Sequence, residues 1–195
     1  HADLAKRLKN AIDDQEVSGK AQDHVLFRDI DFNGFRHVAV VGLGEKYDAE
    51  TIRQVASTIH GAVKASKAKD ATIHFDGIPA GKKDAAHFLQ ALTEGFILTD
   101  YAFDELKSKK KDAKETETVI RVLTKSATDA GFKKAFQEGT ILAESVNFSR
   151  RLGDMPGNLM TPTILADTVV DAVKGTGIKA TVWDKARIKK EKMGG

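Results

Sequence analysis

Apolar positions along the chain fall into two alternating rhythms. Short blocks of β-branched and aromatic residues, His24–Ile30 (HVLFRDI), Arg36–Gly44 (RHVAVVGLG), Ala71–Gly77 (ATIHFDG) and Thr118–Thr124 (TVIRVLT), read as strands bounded by turn residues such as the DFNG of Asp31–Gly34. Between them the spacing changes to that of a helix. From Asp48, placed as an N-cap, Ile52, Val55, Ala56, Ile59, Ala62 and Val63 mark one face of a helix that covers a sheet. A second helix carries Phe88, Leu89, Leu92 and Phe96 on one side, with Asp84 positioned to cap it. A third begins near Asp129 and presents Phe132, Phe136, Gly139, Leu142, Ala143 and Val146 on one stripe of roughly six turns, long for a globular helix. Strands alternating with helices predict an α/β sandwich with a mixed, largely parallel sheet. No internal repeat is visible.

After the long helix the pattern breaks at Arg151–Pro162, RLGDMPGNLMTP, which holds two of the three prolines in the chain, Pro156 and Pro162. Pro156 and Gly157 disfavour continuing the helix, and Pro162 sets φ for the first turn of a new one. A helical pattern with Ile164, Leu165, Val169, Ala172 and Val173 follows, then a predicted strand, Gly177–Trp183 (GIKATVW). This tail is too short to form a core by itself, since domains under about 40 residues rarely do so without metal or disulfides. The expected organisation is therefore an N-terminal domain over 1–152 that includes the long connecting helix from about 129. An interdomain segment over 153–162 and the truncated start of a second domain over 163–195 follow it. A chain that begins at His1 and stops at EKMGG is expected to be cut at both ends.

Composition narrows the chemistry. With 195 residues, 41% hydrophobic and 30% charged, the chain has the make-up of an ordinary globular protein. The absence of cysteine removes disulfide scaffolds, thiolate nucleophiles and cysteine-ligated zinc, and makes the cytoplasm the default compartment. No apolar run approaches the roughly 20 residues that span a bilayer, and HADLAKRLKN is too charged for a secretory signal, so no membrane partner is expected. The net charge of +3 is concentrated in Lys107–Lys114 (KSKKKDAK) and Lys185–Lys192 (KARIKKEK). Neither run interleaves aromatics for base stacking, so both read as solvated faces and no nucleic-acid partner is expected.

VVGLGEKY, Val40–Tyr47, places Gly42 and Gly44 at a strand end before a helix, where free backbone amides hold phosphate. The dinucleotide fingerprint needs a third glycine where Tyr47 stands, and the phosphate-loop lysine pattern is absent, so the turn reads first as structural and second as a nucleotide pocket. His74 and Asp76 alternate onto one strand face as two metal ligands at most, and a pair is not a site. His24, His37, His60 and His87 are isolated in the sequence, Ser149 lies outside any GxSxG elbow, and Asp100 with Asp104 reads as a solvated helix end. The residues alone complete no catalytic constellation.

Three stretches together carry a family resemblance: VAVVGLGEKYDAETIRQVA, LTEGFILTDYAFDELKSKKK and ILAESVNFSRRLGDMPGNLMTPTILAD. In order and spacing they resemble the cytosolic leucyl aminopeptidases, the M17 family of two-metal metallopeptidases. The third is the most specific, since Val146, Asn147, Arg150 and Leu152, then Pro156, Asn158, Thr161 and Pro162, match that family's pattern. The resemblance implies a three-layer α/β/α, macro-domain-like N-terminal domain with a role in oligomerisation, a hexamer in the full-length family, and in access to the active sites. It implies a parent hydrolase that removes N-terminal amino acids from peptides with two divalent metal ions, manganese or zinc. The family's catalytic and metal-binding residues lie in motifs beyond the end of this chain, so the carried-over site list is empty: no catalytic, cofactor-binding or metal residue, and no cofactor in this fragment. The macro-like likeness also leaves an alternative, an ADP-ribose-binding module built on the GLGEK turn.

Overall fold

The computed structural model describes residues 2–78, 80, 82–108 and 118–194. In chain order the elements are helix α1 (Ala2–Asp13), strands β1 (His24–Phe27) and β2 (Val38–Val41), helix α2 (Ala49–Ser66) and strand β3 (Asp70–His74). A single 3-10 turn, Phe75–Gly77, leads on to helix α3 (Lys82–Asp100), strand β4 (Val119–Leu123) and helices α4 (Ala130–Asp154), α5 (Pro162–Ala172) and α6 (Lys185–Lys190). The α/β class holds. The described strands pair in two separate two-stranded sheets: β1 with β2 antiparallel, His24 opposite Val41, and β3 with β4 parallel, Asp70 opposite Val119.

Local chemistry explains most of the boundaries. Asp48 caps α2 as expected, its carboxylate accepting from the Thr51 amide at 2.9 Å, and Lys67 ends the helix in the left-handed region at φ 56°. Asp129 does the same for α4, accepting from the amides of Gly131 at 2.7 Å and Phe132 at 3.2 Å. Asp84 departs from its expected role, because α3 begins at Lys82 and the aspartate sits inside the first turn, where it complements the positive end of the helix. Beyond α4, Thr161 accepts from the Ile164 amide at 3.3 Å and Pro162 takes the first helical position of α5. Helix α1, which the charged N-terminus concealed, buries Ala11 while Leu4 and Leu8 lie half-buried on the same side, at i, i+4 and i+7.

The core is organised around α3, whose residues 91–95 are all buried. Ile52 and Ala56 of α2, both at 0% exposure, meet Phe88, Leu89, Ala91 and Leu92 of α3, with Phe75 closing the end of β3. Phe132 of α4 packs edge-on against Phe75, ring centroids 6.0 Å apart. Two glycines set the helix spacing. A Cβ on Gly95 would fall 2.3 Å from the Arg53 carbonyl oxygen of α2, and one on Gly139 would fall 2.7 Å from the Gln90 carbonyl oxygen of α3.

This close approach corrects the expected stripe on α4. The buried side is made of small residues, Ala135, Gly139 and Ala143, because only these let the helix axis sit against α3. Phe136, Leu142 and Val146 are left about half exposed at the edges of that contact.

By compactness the chain divides into two units, His1–Asn147 and Phe148–Gly195. The second holds the end of α4, α5 and α6, and the expected strand at Gly177–Trp183 does not form. A strand requires a neighbour to receive its backbone hydrogen bonds, and the described residues of this unit contain no other strand. Ile178, Val182 and Trp183 are consequently exposed.

Candidate functional site: a glycine turn and a cavity beside His60

The strand-to-helix turn with Gly42 and Gly44 is the first place to look for a phosphate. The amides of both glycines are already committed. Gly42 N–H donates to the Asp23 carbonyl at 2.7 Å, and Gly44 N–H to the Gly19 carbonyl at 3.0 Å. The space is spent as well, since a Cβ on Gly42 would lie 2.2 Å from the Lys20 carbonyl oxygen. Both glycines serve a close approach of the chain's own segment 19–23, and Gly44 additionally adopts φ 81°. A diphosphate would need the donors and the volume that this segment occupies, so the ADP-ribose alternative finds no support here.

The paired strand residues have a similar outcome. Asp76 lies in the 3-10 turn, where its carboxylate accepts from the Lys125 amide at 2.9 Å and the Thr124 hydroxyl at 2.8 Å, tying the ends of β3 and β4 together. Those two bonds hold its carboxyl below the ordinary range. His74 is exposed at the end of β3, and among the described residues no group of three or more His, Asp or Glu gathers as a metal site. His24 and His87 are exposed, and His37 accepts the Asp29 amide at 3.3 Å through Nδ1. Ser149 lies within α4.

Asp104 pairs with Lys107 three residues on. Residues 109–114 of the first basic run lie outside the described residues. In the second run, Arg187 stacks over Trp183, 5.1 Å from the ring centroid, so the one aromatic beside those lysines is covered by the chain's own cation.

The cluster that the structure does bring together is one that sequence spacing left as isolated residues. His60 on α2 is buried to 8% exposure, and its Nε2 lies 2.8 Å from Oδ1 of Asp100, the last residue of α3. Lys64, one turn beyond His60, places Nζ 3.3 Å from the same oxygen. Burial raises the Asp100 carboxyl; the hydrogen bonds from His60 and Lys64 outweigh it and hold the group below the ordinary carboxylate value. The three side chains stand at a cavity of about 590 Å3 that is also lined by Val63, Phe96, Ile97, Val119 and Ile120. Asn147 of α4 borders it, donating from Nδ2 to the Ile97 carbonyl at 3.0 Å. Forty residues separate His60 from Asp100. The available signal was a histidine on the buried stripe of an amphipathic helix, a position that asks for a polar partner.

The described residues thus form an α/β domain whose glycine turn is packed by the chain's own backbone. Its residues 1–110 match the model of the cytosol aminopeptidase family, N-terminal domain, and the chain belongs to that family. A probable cytosol aminopeptidase of Bdellovibrio bacteriovorus is 54% identical over 198 residues, covering 100% of this chain and 39% of the relative. A probable cytosol aminopeptidase of Sulfurihydrogenibium sp. is 33% identical over 160 residues, 81% of this chain and 31% of the relative. The chain thus spans well under half the length of the relatives it matches. Among solved structures, a tomato leucine aminopeptidase mutant shares the fold with TM-score 0.81 at 22% identity, over 99% of this chain and 38% of that one. The bottromycin maturation enzyme BotP in complex with Mn has TM-score 0.73 at 22% identity, over 92% of this chain and 36% of that one. No described helix is long and apolar enough to cross a membrane.

Proposed function

We propose that the chain is the non-catalytic N-terminal portion of a cytoplasmic, two-metal leucyl-type aminopeptidase, a hydrolase that removes N-terminal amino acids from peptides. The observation that carries this reading is a 54% identity that covers all of this chain yet only 39% of a probable cytosol aminopeptidase. In it, residues 1–152 form the N-terminal domain, 153–162 the connection, and 163–195 the start of the catalytic domain. The strand pairs β1–β2 and β3–β4 then belong to one mixed sheet within a three-layer sandwich, a reading that the TM-score of 0.81 with a leucine aminopeptidase supports.

Two divalent cations, manganese or zinc, supply the hydrolytic chemistry in this proposal, and the Mn complex of BotP favours manganese. The described residues do not fit such a pair of ions, because no three potential ligands converge. In this proposal the chain itself carries no catalytic, cofactor-binding or metal role. Its contribution is to oligomerisation, as a hexamer, and to substrate access, and the half-exposed Phe136, Leu142 and Val146 on α4 supply apolar surface suited to assembly. The test is a paired assay with leucine p-nitroanilide and added manganese. The full reading frame is expected to release leucine while the purified chain releases none, and hydrolysis by the chain itself overturns the proposal.

A further inference from the structure

We propose that the cavity bounded by α2, α3, β4 and Asn147 binds a free α-amino acid with an apolar side chain. At about 590 Å3 it is of the size that holds small ligands, and its lining combines apolar side chains with charged and polar ones. Val63, Phe96, Ile97, Val119 and Ile120 supply its apolar surface, and Tyr101 and Thr118 line it as well. Val119 is 48% exposed on β4, surface that a ligand side chain would cover. The lining also carries one cation and one anion, Lys64 and Asp100, their side chains 66% and 68% exposed. A cavity that offers both apolar surface and a pair of opposite charges is the complement of a zwitterion with an apolar side chain.

The pairing within the cluster leaves room for such a ligand. Asp100 uses one oxygen, Oδ1, for both His60 and Lys64, and Oδ2 has no protein partner among the described residues. The His60 bond, 2.8 Å long and buried at its imidazole end, fixes the carboxylate. By contrast the Lys64 contact, 3.3 Å between two exposed groups, contributes little and yields easily. Asp100 therefore receives the ligand ammonium, aided by the negative end of α3 where it sits, while Lys64 turns to the ligand carboxylate. A simple carboxylic acid would set its charge against Asp100, and a simple amine would set its charge against Lys64. Only a molecule carrying both groups satisfies both.

The inference stands on the cavity alone and not on the aminopeptidase reading, and its test needs no catalysis. The purified chain is titrated with leucine, leucinamide and 4-methylpentanoate while its backbone amides are followed by NMR. Leucine is expected to give saturable shifts at Ile97, Val119 and Ile120, with leucinamide and 4-methylpentanoate weaker by about tenfold or more, the effect of losing one charge-assisted hydrogen bond. Asp100→Asn and Lys64→Met should each weaken leucine by a similar factor without unfolding the chain, since both side chains are largely exposed. No saturable shift at millimolar leucine overturns the proposal. So does equal binding of either analogue, or unchanged binding in both variants.

Discussion

Single residues in this chain act mainly by what they permit their neighbours to do, and the glycines show it most directly. Gly42→Ala would drive a methyl group into the Lys20 and Gly19 backbone, atoms that cannot rotate away. A loss of about 3 kcal/mol is expected in urea denaturation, the upper end of the usual overpacking range. Gly61, exposed within α2 with nothing near its Cβ position, should respond oppositely. Gly61→Ala is expected to gain about 0.5–1 kcal/mol, because alanine loses less backbone freedom in a helix. Asp76 adds a pH dependence. Its bonds from the Lys125 amide and the Thr124 hydroxyl place its folded pKa below the ordinary 3.8, so its stabilising contribution is complete above that value and disappears as pH falls through the folded one. Denaturation midpoints measured between pH 7 and pH 3 should fall less steeply in Asp76→Asn than in the parent chain. Equal slopes would show that the carboxylate contributes nothing specific.

At the scale of elements, the pairing of α2 with α3 is fastened by a charge network as well as by core packing. Arg53 of α2 donates from Nε at 2.9 Å and from Nη2 at 2.7 Å to Glu94 Oε2, and also pairs with Glu50. Glu94 is buried to 8% exposure and takes a further bond from Gln90 at 2.9 Å. Arg53→Met leaves that carboxylate with one neutral donor among the described residues and should cost about 2–3 kcal/mol. Arg53→Met combined with Glu94→Leu should recover most of the loss, and a double-mutant cycle without coupling would contradict this account. Such contacts also show where sequence reading reaches its limit. The Asp48 cap of helix α2 and most of its apolar stripe were legible, since their determinants are local. The face of α4 was legible only as a stripe, because which of its residues meet α3 depends on Gly139 and a carbonyl of another helix. His60 and Asp100 were each visible and their meeting was not, for it arises from two helices packed side by side. The Gly177–Trp183 pattern suits a strand, and it fails to become one for want of a partner that no local pattern supplies.

For the whole molecule, the unequal character of the two units has a measurable outcome. The unit Phe148–Gly195 buries none of the side chains of α5 or α6, and Ile164, Leu165 and Val169 are each at least 40% exposed. Ile178 at 65% and Val182 at 59% extend the same apolar character past the helix. A segment of this size does not bury enough surface to form an independent core, while each large aliphatic side chain removed from water contributes about 1.5–3 kcal/mol. Several such side chains together outweigh the cost of holding two chains in contact only when concentration is high. The chain is therefore expected to associate reversibly, with a mass in light scattering that rises with concentration. Replacing Val169, Ile178 and Val182 by serine should return it towards a monomer without changing the unfolding of the His1–Asn147 unit. A monomer at every concentration, with the segment beyond Pro162 resistant to protease, would show that these side chains are satisfied within one chain. When the remainder of the proposed aminopeptidase is present in the same polypeptide, this concentration-dependent association should give way to the fixed mass of the proposed hexamer, because the catalytic domain would then claim the apolar surface of the segment.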